Sequence, residues 1–307
     1  MEHIPVLLNE VIELLSIKED GIYLDLTLGR AGHSREILSK LTSVRLICLD
    51  QDEVALEESR KILETISDRF TLVHSNYSKV KEVLEELHIE KVDGILADLG
   101  VSSPQLDDVS RGFSYRFDSP LDMRMDLSQS LTAKAVVNTY SYEDLVRILY
   151  LYGEESDAKK IARNIVKQRE IHPINTTFEL VEIVKKSKSS KDLEKKGHPA
   201  KQTFQAIRME VNKEKQTLEQ MLLDAPTLLK SKGRMAVITF MSSDDRLVKS
   251  RFNELSKEIG SRHGPFLIEQ TQKEFVLVNK KVITPSEEEL SRNHRAASAK
   301  LRVIERR

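Results

Sequence analysis

The sequence predicts a doubly wound, mostly parallel α/β fold interrupted by an inserted all-helical segment. Three observations predict it. Residues 22–98 alternate short apolar runs with longer amphipathic stretches, the pattern of βαβ units. From about 107 to 210 the short runs stop and apolar residues recur at helical spacing. Beyond that the first pattern returns.

Taken in order, the expected strands are IYLDL (22–26), RLICLD (45–50), FTLVH (70–74) and VDGILAD (92–98), with RMAVITF (234–240) and EFVLV (274–278) after the helical segment. Helices fit between the first four, over 34–41, 53–66 and 78–87; the second of these carries Val54, Leu56, Ile62, Leu63 and Ile66 at helical spacing. Ser141 with Asp144, and Thr176 with Glu179, suit capping boxes that start two helices of the insert. A long helix ends near Leu223, and another runs from about Asp244 to Ile259. The expected division is therefore 1–106 and 211–307 for a discontinuous α/β domain, and 107–210 for a helical insert on its ligand-facing side. Right-handed crossovers set Asp25, Asp50 and Asp98 along one edge of the sheet, where open α/β sheets bind ligands.

Composition narrows the function classes. Hydrophobic residues make up 39% and charged residues 32%, a globular balance. No apolar run reaches the length of a membrane span, and the opening MEHIPVLLNEVIELL has neither the basic region nor the cleavage site of a signal peptide, so a cytoplasmic protein is expected. The net charge of −1 gives no whole-molecule attraction to nucleic acid, leaving local patches. One is the lysine-rich stretch 185–201, which reads equally as a solvated surface. The other is a basic tail over 291–307, with Arg292, Arg295, Lys300, Arg302, Arg306 and Arg307. The single cysteine, Cys48, reads as a buried strand residue, and scattered histidines with one cysteine predict no metal site.

The turn DLTLGRAGH, from Asp25 to His33, joins a strand to a helix through Gly29 and Gly32. Glycines there allow close backbone approach, and the helix start offers free N–H groups. The G-x-x-G spacing lacks the third glycine of a dinucleotide fingerprint, which counts against a pyrophosphate cradle. A methyl donor has no phosphate and needs instead an acid at the second strand's end to accept from ribose hydroxyls, a place Asp50 occupies. Asp98 ends the fourth strand, and has two readings: an acceptor for a substrate amine, or the cap of a helix beginning near Ser102. Phe113, Tyr115 and Phe117 alternate at period two, as stacking rings or as a packed strand.

These stretches resemble the RsmH (MraW) family of small-subunit ribosomal RNA cytosine-N4 methyltransferases. The likeness covers nearly the whole chain: HIPVLL from His3, DLTLGRAGHS from Asp25, DGILADLGVSSPQLDD from Asp93, RGFSYRFDSPLDMRMD from Arg111, FQAIRMEVN from Phe204 and RAASAKLR from Arg295. The resemblance implies a class I Rossmann-like methyltransferase fold dependent on S-adenosyl-L-methionine, with cofactor contacts at Ala31, Gly32, His33, Asp50, Tyr77, Asp98 and Gln105. It also implies methyl transfer to the exocyclic N4 of a cytidine in the decoding region of 16S ribosomal RNA. The 16S ribosomal RNA, or the small subunit containing it, would then be the partner. Asp98 is the candidate catalytic residue, and the insert, the tail, Arg111 and Arg124 are candidates to engage RNA phosphates. Methylation at cytosine C5 commonly uses a thiolate, and Cys48, placed inside a strand, argues against it.

The chain also departs from its family. TFMSSDDR stands where SFHSLEDR is usual, so Met241, Ser243 and Asp244 replace histidine, leucine and glutamate. Ala31 replaces a glycine, Tyr77 a phenylalanine and His294 a proline. Leu99, Gly100 and Val101 follow Asp98, where better-known amino-methyltransferases carry Pro-Pro-aromatic. Three alternatives stay open on sequence alone: a methyltransferase of this fold acting on another nucleobase or nucleic acid, a weakened RNA-binding or ribosome assembly factor, and, last, a nucleotide-dependent oxidoreductase.

Overall fold

The computed structural model describes residues 5–257 and 273–307. His3 and Ile4 of the first motif, and Ile259 at the end of the helix expected from Asp244, lie outside the described residues. The chain divides into two compact units, Met1–Gly100 with Gln216–Arg307, and Val101–Lys215.

The first unit is built on a seven-stranded sheet. After α1 (Leu8–Leu15) come β1 (Ile22–Asp25), α2 (Gly32–Lys40), β2 (Arg45–Asp50), α3 (Glu53–Leu63), β3 (Phe70–His74), α4 (Val80–Glu86) and β4 (Val92–Asp98). The sheet order is β3-β2-β1-β4-β5-β7-β6, with β5 at Leu229–Thr239, β6 at Phe275–Leu277 and β7 at Lys300–Arg306. Strands β1 to β5 pair in parallel, and β7 runs antiparallel to both β5 and β6. This is the expected doubly wound, mostly parallel sheet.

Period-two burial produces the double winding. Leu24, Ile47, Leu49, Ile95, Ala97, Met235, Val237 and Ile304 face one apolar cluster, joined by Val83 and Leu84 of α4. The same cluster takes Leu218, Met221 and Leu222 of α12 (Glu214–Asp224), with Val248 and Phe252 of α13 (Ser242–Leu255). Tyr23, Leu46, Cys48, Leu96, Ala236, Ile238, Leu301 and Val303 face the other, against Val11 and Leu15 of α1, Ile37 and Leu38 of α2, and Leu56 and Leu63 of α3. Cys48 is fully buried, as read from the sequence. β5 begins five residues before its expected start because Lys232, at φ 63°, and Gly233 make a bulge against β4 rather than a turn.

The stretch read as a basic tail is not a tail. The short helix α14 (Glu287–Arg292) and a 3-10 turn lead into β7, where Leu301, Val303 and Ile304 are core residues. The intervening cations serve the fold: Arg302 donates to Asp245 at 2.7 Å, and Arg306 donates to the carbonyls of Thr227 and Leu229 and pairs with Glu274. Strand alternation accounts for Arg302 and Arg306.

The second unit is helical, with α5 (Ser103–Asp107), α6 (Ala133–Thr139), α7 (Tyr142–Gly153), α8 (Ala158–Ile171), α9 (Thr177–Ser187), α10 (Ser190–Leu193) and α11 (Lys201–Val211). Ser141 caps α7, and Thr176 with Glu179 forms the capping box of α9. Gly153 lets α7 approach α11, since a Cβ there would lie 2.6 Å from the Gln202 carbonyl oxygen. Arg111 is buried and donates to the carbonyls of Arg124 and Met125, while Arg124 grips Asp122 through two nitrogens. Both therefore hold a loop together. The three aromatics form no strand: Phe113 is buried, Tyr115 stacks on His198 with centroids 4.2 Å apart, and Phe117 is exposed.

Candidate functional site

Three carboxylates end adjacent parallel strands: Asp25 on β1, Asp50 on β2 and Asp98 on β4. Their surroundings differ. Asp25 is buried beneath the turn, accepting from the Ser34 hydroxyl at 2.6 Å and from the Thr27 N–H at 3.1 Å. Burial raises its carboxyl above the ordinary range against those donors. Ser34 also lies 3.4 Å from Cys48 Sγ.

Asp50 binds the turn directly. Its Oδ2 accepts from the Gly29 N–H at 2.8 Å and its Oδ1 from the Asp52 N–H at 2.9 Å. Burial pushes its carboxyl up to about 6, opposed by those two donors and reinforced by Asp52 and Asp25. Each oxygen keeps a further lone pair, so two hydroxyls could still be accepted. Gly29 sits at φ +50°, and a Cβ there would meet nothing nearer than 3.9 Å. Its role is conformational.

Ala31, Gly32 and His33 form the entry to α2, with Ala31 in the left-handed region at φ 56°. The Ala31 side chain is fully buried, and a Cβ on Gly32 would lie 2.4 Å from Pro5 Cγ. These two residues thus turn their side-chain positions toward the protein and offer a ligand only backbone, at a helix start whose first-turn N–H groups have no intrahelical partner. His33 is buried, with Nε2 2.9 Å from the Val6 carbonyl and Nδ1 3.8 Å from Asp98 Oδ2.

Asp98 is locked at its backbone, whose N–H donates to Thr27 Oγ1 at 2.7 Å. Its side chain is 23% exposed, yet Oδ1 is sealed and meets no donor among the described residues. Burial pushes the carboxyl up to about 6, with His33 opposing and Asp25 adding to the rise. The helix near Ser102 does not use Asp98 as its cap: Ser102 accepts from the Gln105 N–H and donates its own N–H to Gln105 Oε1. Leu99 donates to the Ile238 carbonyl, and Gly100 takes φ +119° where the Pro-Pro-aromatic tripeptide is absent.

The structure thus brings Asp50 to Gly29 and Asp98 to His33. Tyr77 begins a 3-10 turn after β3, its hydroxyl 3.1 Å from Thr217 Oγ1, and the neighbouring Asn76 donates to Gln51 at 2.7 Å, beside Asp50. Gln105 belongs to the helical unit, where its side chain completes a capping box. Sequence reasoning left Val6, Thr27 and Ser34 unassigned. The last two stand inside the DLTLGRAGHS run as small hydroxyls beside acids, which is a legible signal; Val6 acts through its carbonyl and leaves none. At Met241 the chain starts α13, where Ser243 and Asp244 contact each other and Asp245 holds β7. A cavity of about 900 Å³ in the helical unit, between α7 and α8, holds none of the predicted site residues. Among the described residues no metal-binding cluster and no helix long and apolar enough to cross a membrane is found.

Comparison with known proteins follows this geometry. The MraW methylase family matches residues 1–307. The chain is 50% identical over 99% of its length to 97% of the ribosomal RNA small subunit methyltransferase H of Streptococcus dysgalactiae subsp. equisimilis. Among solved structures it is similar to a candidate rRNA methylase of Clostridium thermocellum (14% identity, 100% of both chains, TM-score 0.45). Another is the methyltransferase candidate SMU.1697c of Streptococcus mutans (14% identity, 99% of this chain and 100% of that one, TM-score 0.41). Those two likenesses bear no weight here. The whole-length match and the 50% identity do, and the chain belongs to the MraW methylase family.

Proposed function

We propose that this protein transfers a methyl group from S-adenosyl-L-methionine to the exocyclic N4 of a cytidine in the decoding region of 16S ribosomal RNA, in the cytoplasm. The observation that carries the reading is the 50% identity, along essentially the whole chain, to a relative named for methylation of small-subunit ribosomal RNA. The site agrees with it chemically. Asp50 has lone pairs to accept ribose hydroxyls, and the helix start offers N–H groups without phosphate-cradle glycines. Tyr77 and Gln105 complete the proposed contacts on the strength of the family resemblance.

Bound cofactor would supply an electrophilic methyl carbon on a sulfonium. The chain's own part is to localise the N4 lone pair, align the amine and accept a proton. Asp98 fits that part: its side chain is 23% exposed, at a strand end fixed by Thr27. Cys48 is buried and its thiol pushed well up by burial, so it supplies no thiolate for C5 chemistry. We assign residues 107–210 to RNA recognition. Lys188 is spent on buried Glu155, but Lys186, Lys191, Lys196 and Lys201 are exposed.

Mass spectrometry of ribosomal RNA nucleosides from cells with and without the gene tests the reading. N4-methylcytidine should fall on deletion and return with the wild-type chain but not with Asp98→Asn. An unchanged level after deletion would refute it.

A further inference from the structure

The fold gives the two ring nitrogens of His33 different partners. Nε2 lies 2.9 Å from the Val6 carbonyl oxygen, which can only accept, so Nε2 carries a hydrogen. With the ring neutral, Nδ1 is then a bare lone pair, and it faces Asp98 Oδ2 at 3.8 Å. Two acceptors facing one another are satisfied by one proton between them. The same side chain is 23% exposed while its Oδ1 is sealed and without a donor, so Oδ2 is the oxygen left to meet both a substrate and His33. Around the pair, Asp25 is the other charged group that acts on Asp98, and its own oxygens are held by Ser34 and Thr27. Asp25 therefore favours a proton on the pair without competing for its contacts.

We propose that His33 and Asp98 form a proton-relay pair, Asp98 receiving the proton released by the methylated amine and His33 Nδ1 taking it over. His33 acts through Asp98 and is a positioning residue. The inference rests on the amine-methylation reading above. As the amine nitrogen bonds the methyl carbon, the carbon–sulfur bond breaks and sulfur keeps its electron pair. The nitrogen then holds one proton in excess; its N–H bond breaks and the proton bonds to Asp98 Oδ2. From Oδ2 that proton passes to Nδ1 as the O–H bond breaks, leaving an imidazolium beside a carboxylate. The present 3.8 Å is long for a hydrogen bond, as catalytic contacts commonly are before substrates bind.

Two measurements test the pair. In the cofactor-free protein, ¹⁵N NMR of His33 should show Nε2 protonated, and the His33 Nδ1 and Asp98 carboxyl signals should report uptake of one proton in a single transition that Asp98→Asn removes. A ring protonated on Nδ1 alone, or two independent transitions, would overturn the proposal. In single-turnover methylation at saturating donor, His33→Gln keeps a nitrogen able to donate to Val6 and lacks Nδ1. At saturating donor its rate should fall about 100-fold, with the rate rising more steeply with pH than in the wild type. A wild-type rate, or a loss that more donor restores, would overturn it. If the wild type makes no N4-methylcytidine, the substrate reading fails, whereas the NMR arm still decides the pair.

Discussion

Asp98 holds a carboxyl group at about 6 in the fold against 3.8 as its ordinary value, with burial as the main cause. A carboxyl raised on folding contributes most stability below its unfolded value and loses that contribution as pH rises through the folded value. The cofactor-free protein should therefore gain stability on going from pH 8 to pH 5 through this group. Asp98→Asn removes the charge without removing a donor's partner, because Oδ1 has none and Oδ2 is 3.8 Å from His33. The variant should be stabilised at pH 8 by on the order of 1–2 kcal/mol, a Tm rise of roughly 2–6 °C, while methylation is lost. Equal Tm values at pH 8 would show that the charge is better solvated than its burial implies. Asp50 is different, since each oxygen already accepts a backbone N–H and an amide would turn a donor toward one of them. There the consequence is in binding: only the ionised form accepts two hydroxyls in addition. Calorimetry with S-adenosyl-L-methionine should show affinity falling below pH about 6, with proton release on binding near that pH. A flat profile from pH 5 to 8 would remove Asp50 from the cofactor contacts.

At the scale of elements, β7 shows how a strand can hide among charges. Asp245, 7% exposed, accepts Arg302 through two oxygens and lies 3.4 Å from Lys300, so α13 holds this strand by its cations. The cations pull the Asp245 carboxyl below its ordinary range in spite of burial. Removing Asp245 leaves Arg302 half-sequestered without its partner, and Asp245→Ala should cost about 3 kcal/mol in urea unfolding. A cost under 1 kcal/mol would mean that solvent replaces the pair. The same charges explain what was legible. β1 to β4 show in the sequence because both sheet faces are covered and their runs are nearly continuous in apolar residues. KLRVIER places charged residues between Leu301, Val303 and Ile304, and on composition it reads as a basic surface. For the site, the acids at strand ends could be read from topology alone. The tuning of His33 could not, since it depends on a carbonyl from Val6, which carries no side-chain signature.

The whole molecule is unequal in how its two units are encoded. The helical unit is one continuous stretch, Val101–Lys215, with apolar faces such as Ile148 and Leu149 on α7, Ile161 and Ile165 on α8, and Phe204 and Ile207 on α11. Its capping boxes and loop arginines close within the same stretch. The α/β unit is discontinuous: β1 to β4 come from the first segment, and β5, β6 and β7 from the last. Without the last segment β4 loses the partner that pairs with it from Gly94 to Asp98, and one apolar cluster loses α12 and α13. An unpaired apolar edge strand invites aggregation. A 101–215 fragment should therefore give a helical circular-dichroism spectrum and a sigmoidal thermal transition, whereas a 1–215 fragment should be insoluble or should lack the sheet signal. Soluble 1–215 with sheet content would show that β1 to β4 fold without β5. A 101–215 fragment with no cooperative transition would show that the helical unit draws its stability from the α/β unit.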